Sequence, residues 1–153
     1  MRKITFILMV LLLSGLVVAQ PRSLKEVERE INDLLLGFQK MGKKSFETKW
    51  PDGKLMEKYT VEKDGKVSYT KLYPAGNTAV SYQSTPGGTV TYERWHGNGK
   101  DAVLLKSDGR IIDYTSYWPN GQKKAKYQRN KHTKESFLVS NDEKGKQVFP
   151  TGK

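Results

Sequence analysis

Apolar positions recur along this chain in two rhythms, and the change between them divides it. Leu24, Val27, Ile31, Leu34, Leu35 and Phe38 follow the three-and-four spacing of one helical face. Ser23-Leu24-Lys25-Glu26 in front of them is a capping-box sequence, and Gly42 behind them is a suitable stop. From Trp50 onward the spacing falls to two. Val67 and Tyr69, Val80 and Tyr82, Val90 and Tyr92, Ile112 and Tyr114, and Ala125 and Tyr127 each place both side chains on one face of a strand. The pattern predicts an amphipathic helix within residues 20–44, then a series of short antiparallel strands over residues 45–153.

Glycines punctuate the strands at a regular pitch. Gly53, Gly76, Gly99 and Gly121 lie 23, 23 and 22 residues apart, and Gly65, Gly88 and Gly109 fall between them at 23 and 21. Each unit of the repeat therefore holds two turns and two strands. Asp52-Gly53, Asp64-Gly65, Asn98-Gly99, Asp108-Gly109 and Asn120-Gly121 read as hairpin turns, since both residues tolerate positive φ. Three residues before the first-turn glycines stand Trp50, Tyr73, His96 (beside Trp95) and Trp118, and six residues after them Tyr59, Tyr82, Leu105 and Tyr127. After Tyr127 the rhythm loosens. A strand around Phe137, Leu138 and Val139 and a turn at 141–145 read as an extra hairpin inserted before the array ends.

Composition changes this picture at its ends. Arg2 and Lys3, the apolar run Ile4 to Val18 and the small residues up to Ala19 have the form of a secretory signal peptide, residues 1–19, cleaved before Gln20. The expected location is therefore exported, periplasmic or extracellular. Removing it takes the formal net charge of the 153-residue chain from +11 to +9. With no cysteine in the chain, disulfides and thiolate metal sites are excluded. The modest apolar fraction points to a thin core, rich in tyrosine, of a single sheet with one face covered. The helix stripe is expected to pack on a face or edge of that sheet. The alternatives are pairing with another chain or resting on a membrane, and Glu26, Glu28, Glu30 and Asp33 would be repelled by an anionic bilayer.

Trp50-Pro51-Asp52-Gly53-Lys54 and Trp118-Pro119-Asn120-Gly121-Gln122-Lys123 resemble the bacterial variant of the MORN repeat, with looser copies at Tyr73-Pro74-Ala75-Gly76 and Trp95-His96-Gly97-Asn98-Gly99-Lys100. A weaker copy stands at Phe149-Pro150-Thr151-Gly152-Lys153. The resemblance implies a mainly β fold: an N-terminal amphipathic helix followed by an elongated antiparallel β-meander of repeated hairpins. It brings no catalytic residues. Some bacterial members are catalogued as antitoxin components, and eukaryotic members are associated with membranes and phospholipids, so an antitoxin-like or immunity-like partner-binding role and peripheral membrane contact are both implied.

Catalytic and cofactor chemistry finds little to work with. His96 and His132 stand in different units, and His96 fills the aromatic slot of its repeat, where it reads as a packing residue. The Asp residues before the turn glycines are explained by bonds to nearby backbone amides. No cofactor and no metal is expected, and the chain reads as no enzyme. A cell-envelope hydrolase is the lesser alternative, and it requires Glu93, Asp101 or Asp113 to converge in a cleft.

Charge is the remaining signal. Lys123, Lys124, Lys126, Arg129, Lys131 and Lys134 carry six positive charges within 12 residues that contain no acid. Such a strip suits an anionic partner, and equally a solvated face that discourages edge pairing. The expected function is a non-catalytic binding or scaffolding module for a protein or an anionic envelope component. Its expected binding residues are Trp50, Tyr73, Trp95 and Trp118 together with Lys123, Lys124, Lys126 and Arg129. Nucleic acid is disfavoured as a partner, because the tyrosines sit at core-like strand positions, and the oligomeric state stays open.

Overall fold

A computed structural model describes residues 23–148; the expected leader and the weak terminal repeat copy at 149–153 lie outside the described residues. One helix, α1 (Leu24–Met41), precedes ten strands: β1 (Ser45–Lys49), β2 (Leu55–Val61), β3 (Val67–Leu72), β4 (Thr78–Ser84), β5 (Val90–Trp95), β6 (Asp101–Ser107), β7 (Ile111–Tyr117), β8 (Lys123–Asn130), β9 (Ser136–Asn141) and β10 (Gln147–Val148). The strands form one open antiparallel sheet in strict sequence order, so the fold is the mainly β, helix-led meander that the pattern predicts.

The helix starts and stops where its caps place it. Ser23 is extended, its Oγ accepts from the Glu26 amide at 3.3 Å, and Gly42 closes the other end in the left-handed region with its amide on the Gln39 carbonyl. The apolar stripe then turns Val27, Ile31 and Phe38 onto the sheet, covering a face rather than an edge.

Every turn glycine of the repeat takes a positive φ, between +80° and +95°, whereas the Asp and Asn before them do not. Those residues act through their side chains instead. The carboxylate or amide oxygens of Asp52, Asp64, Asn98, Asp108 and Asn120 accept from the backbone amide two residues on, at 2.8–3.1 Å. In the turn at Trp50 the Gly53 amide bonds the Trp50 carbonyl, and the Trp50 amide bonds the Lys54 carbonyl. That pairing repeats at Tyr73, His96 and Trp118, and again at Asp142 with Gly145. It is the three-residue hairpin loop in which glycine forms a bulge, rather than a two-residue turn.

The hairpin after Tyr127 is a regular unit and no insertion. Gly145 lies 46 residues beyond Gly99, two periods of 23, and shares its positive φ. The β8–β9 loop holds the second-turn position with Lys134, the one non-glycine residue at positive φ among the described residues, at +60°. With Lys134 where the other units carry glycine, the glycine pitch does not reveal the unit.

A second feature recurs with the repeat. The register slips by one residue between Thr48 and Lys49, Lys71 and Leu72, Arg94 and Trp95, and Ser116 and Tyr117. The partner strands accommodate each slip with an extra residue, namely Met56, Ala79, Ala102 and Lys124. A β-bulge beside each first turn sharpens the strand twist there. The first three bulge residues are buried.

The pairing registers also align one residue per strand into a single row across the sheet: Phe46, Tyr59, Tyr69, Tyr82, Tyr92, Leu105, Tyr114, Tyr127 and Leu138. Directly opposed side chains share a face and touch. Helix α1 lies across this row. Phe38 stacks on Tyr59 with ring centroids 3.9 Å apart, and also packs against Phe46 and Tyr69. The two layers bury Val27, Ile31, Tyr69, Tyr82, Tyr92, Val103, Leu105 and Tyr114 between them.

Candidate binding surface

Length decides how much of the sheet the helix hides. Its 18 residues reach about 27 Å, whereas ten strands at about 4.8 Å spacing extend over about 43 Å. Phe38 at the C-terminal end lies over β1–β3, and the tyrosine row stays buried as far as Tyr114 on β7. Beyond that point the same row emerges. Tyr127 is half-buried, and Leu138 is 49% exposed, against 0% for Tyr92 at the centre. Val148, paired with Ser140 on the same face, is 48% exposed.

The charges divide in the same way. The ion pairs among the described residues are Lys54 with Asp52, Lys58 with Glu47, and Arg94 with Glu30. Arg94 is 4% exposed, and its Nη1 donates to Glu30 Oε2 of α1 at 2.8 Å, tying the helix to the sheet. None of these pairs involves β8, β9 or β10, where Lys123, Lys126 and Arg129 are exposed. Lys124 differs from its neighbours. It is the fourth bulge residue, and its ammonium sits 4.3 Å from the centre of the Trp118 ring, a cation–π contact that holds it against the turn.

The sheet sends the predicted cations to opposite faces. Arg129 pairs with Ile112 and Ser136 on the helix-bearing face, and Lys126 pairs with Thr115 and Val139 on the open one. The predicted strip is thus a basic end of the sheet, with charge on both sides of it.

The aromatic candidates serve different ends. Tyr73 Oη donates to the Trp95 carbonyl at 2.9 Å, His96 Nε2 lies 3.3 Å from the Tyr117 carbonyl, and Trp118 Nε1 donates to the Asn141 carbonyl at 3.2 Å. In every case the acceptor is the residue just before the next unit's slot. The slot side chains therefore link consecutive units, and His96 does so with 5% of its surface exposed, as a packing residue. The amides of Asn98 and Asn120 add parallel bonds to the Pro119 and Glu143 carbonyls. Trp50 fills the first slot with its indole nitrogen buried and without a hydrogen-bond partner. Trp95, one residue out of the slot, stands opposite Asp101 and two residues from Glu93, which places it on the open face instead. The four predicted aromatics therefore do not form one ladder.

Buried tyrosines on the helix side are held neutral. Burial, then the Glu57 carboxylate that accepts the Tyr69 hydroxyl at 2.8 Å, pushes the Tyr69 ionisation far above its usual range. Burial and the nearby Glu30 do the same to Tyr92. The carboxylates Glu93, Asp101 and Asp113 all lie on the open face but oppose Leu104, Trp95 and Lys106 respectively, not one another. Asp113 also accepts from Gln128 Nε2 at 3.0 Å. They form no cleft. Among the described residues, no three His, Asp or Glu side chains gather to hold a metal ion.

Sequence reasoning missed the exposed apolar residues Phe137, Leu138 and Val148. The signal was present in the helix length, which is too short for the array that follows it. The fold and surface define a class: a single-layer repeat sheet, half roofed by a helix, with a basic, partly apolar end. The chain matches no protein-family model and no curated protein.

Proposed function

We propose that this is an exported, non-catalytic repeat protein of the MORN-like kind, acting as a binding or scaffolding module for a protein or an anionic envelope component. The observation that carries the reading is the end formed by β8–β10. There, cations without ion-pair partners stand beside exposed Phe137, Leu138 and Val148, while the rest of the tyrosine row is covered. Apolar area left open beside unneutralised charge is the composition of a contact surface rather than of a solvated rim.

The test is capture from envelope fractions by the chain beginning at Gln20, at low and high salt, beside a variant with Lys123, Lys126 and Arg129 changed to Ser. Lys124 is left in place because it packs on Trp118. Capture that falls with salt and with the substitutions supports the reading, since exposed charges are screened over about 8 Å at physiological ionic strength. Capture indifferent to both would overturn it.

A further inference from the structure

The tyrosine row is a track for a helix, and the track is longer than the helix that occupies it. Over β1–β7, α1 shows what the track accepts: an apolar stripe set on Phe46, Tyr59, Tyr69 and their neighbours, flanked by an acid, Glu30, that pairs with a basic residue projecting from the same face. Past Tyr114 the elements of that interface continue without a cover. Tyr127 and Leu138 extend the row, Val148 adds apolar area beside it, and Arg129 supplies the positive charge. On the strength of that continuity we infer that β8–β10 dock a second amphipathic helix, acidic along its flank and supplied by a partner protein, laid on the same face as α1. This rests on the binding-module reading above and names its site and partner chemistry.

Charge decides against a second copy of this chain. Two such ends brought face to face would set Arg129 against its own counterpart, with no acid on β8 or β9 to offset the charge, which is unfavourable. Among the described residues, the side-chain bond that links consecutive units also ends here. The last slot among the described residues holds Asp142, whose carboxylate accepts from the Lys144 and Lys146 amides of its own turn, so it offers no donor to a following unit. A helix of the α1 kind meets neither obstacle.

Helix α1 itself supplies the probe: a synthetic peptide of Ser23 to Gly42 with Lys25→Gln and Arg29→Gln, added to the chain from Gln20 to Lys153. Binding is followed by fluorescence anisotropy, and its place by amide chemical shifts. The expected result is saturable binding with shifts confined to β8–β10. Leu138→Ser should weaken it about tenfold and Arg129→Gln about threefold, while Lys106→Ser on the open face of β6 leaves it within about twofold. Val148→Ser serves as a second variant on the apolar side. Shifts centred on β1–β3 would mean that the peptide merely displaces α1, and would overturn the inference. So would binding that survives Leu138→Ser, an absence of binding, or capture of the chain by phosphatidylglycerol vesicles through Leu138 in place of the peptide. If the peptide fails while salt-sensitive capture from envelope fractions persists, the docking inference alone is lost. If both fail, the binding-module reading falls with it.

Discussion

Strands β1–β7 and strands β8–β10 are built from the same repeat, with the same antiparallel pairing and slot hydrogen bonds, yet they differ in what surrounds them. Under α1 the tyrosine row is dry, Arg94 has its Glu30, and the bulge positions hold the buried Met56, Ala79 and Ala102. Beyond α1 the row opens to solvent, the cations lack ion-pair partners, and the bulge position holds Lys124 against Trp118. The repeat can therefore build a sheet without specifying a core. A single open layer has two faces, and only an added element makes one of them an interior.

The largest test of this contrast is truncation of the same apolar row on either side of the boundary. Phe38→Ala removes the ring that stacks on Tyr59, and should cost about 3–5 kcal/mol in denaturant unfolding. Leu138→Ala, half exposed, should cost no more than about 0.5 kcal/mol. Equal effects would mean that the helix does not organise the core.

Alkali should attack the covered half next. The ionisations of Tyr69 and Tyr92 are raised in the folded protein, so the neutral form is favoured there and the stability they contribute is complete below the unfolded tyrosine value near 10. As pH rises above that value the unfolded chain releases protons that the folded one keeps. Stability should then fall by up to about 1.4 kcal/mol per tyrosine per pH unit. Tyrosinate absorbance of the native protein should lag behind that of a peptide reference, with an abrupt rise at unfolding. A smooth titration of all tyrosines together with the reference would show that the row is wet.

Smaller effects probe the links shared by both halves. Trp118→Phe deletes the indole donor to the Asn141 carbonyl while keeping most of the ring, and should lower stability by about 1 kcal/mol. Trp50→Phe should cost less, because the buried Trp50 nitrogen has no partner to lose. Thermal unfolding of the two variants in parallel checks the order, and a reversed order would remove the inter-unit bond as the reason for the slot aromatics. The smallest change expected is a gain: Lys134→Gly relieves a left-handed lysine and should stabilise by about 0.5 kcal/mol, less than the strain itself because glycine frees the unfolded chain.

Much of the architecture was legible in local chemistry. The caps at Ser23 and Gly42, the glycine pitch, and the period-two pairs of apolar residues each depend on a few neighbouring positions, so they predicted the helix, the meander and the tyrosine strand positions. Where reasoning relied on one residue type it faltered. Lys134 holds a turn conformation that glycine holds elsewhere, and so a regular unit read as an insertion. Trp95 and His96 differ by one position, and a strand sends neighbouring side chains to opposite faces, so a ladder of four aromatics became links between units plus one residue on the open face.

The sequence by itself determined which segments turn, which extend and which side chains share a face, because backbone sterics, capping and strand alternation act within a few residues. Only the tertiary structure decided which face is interior, how far the interior reaches, and where the predicted basic strip meets exposed apolar surface. These depend on laying an 18-residue helix across ten strands and comparing the two lengths, a relation between distant segments that no local pattern contains.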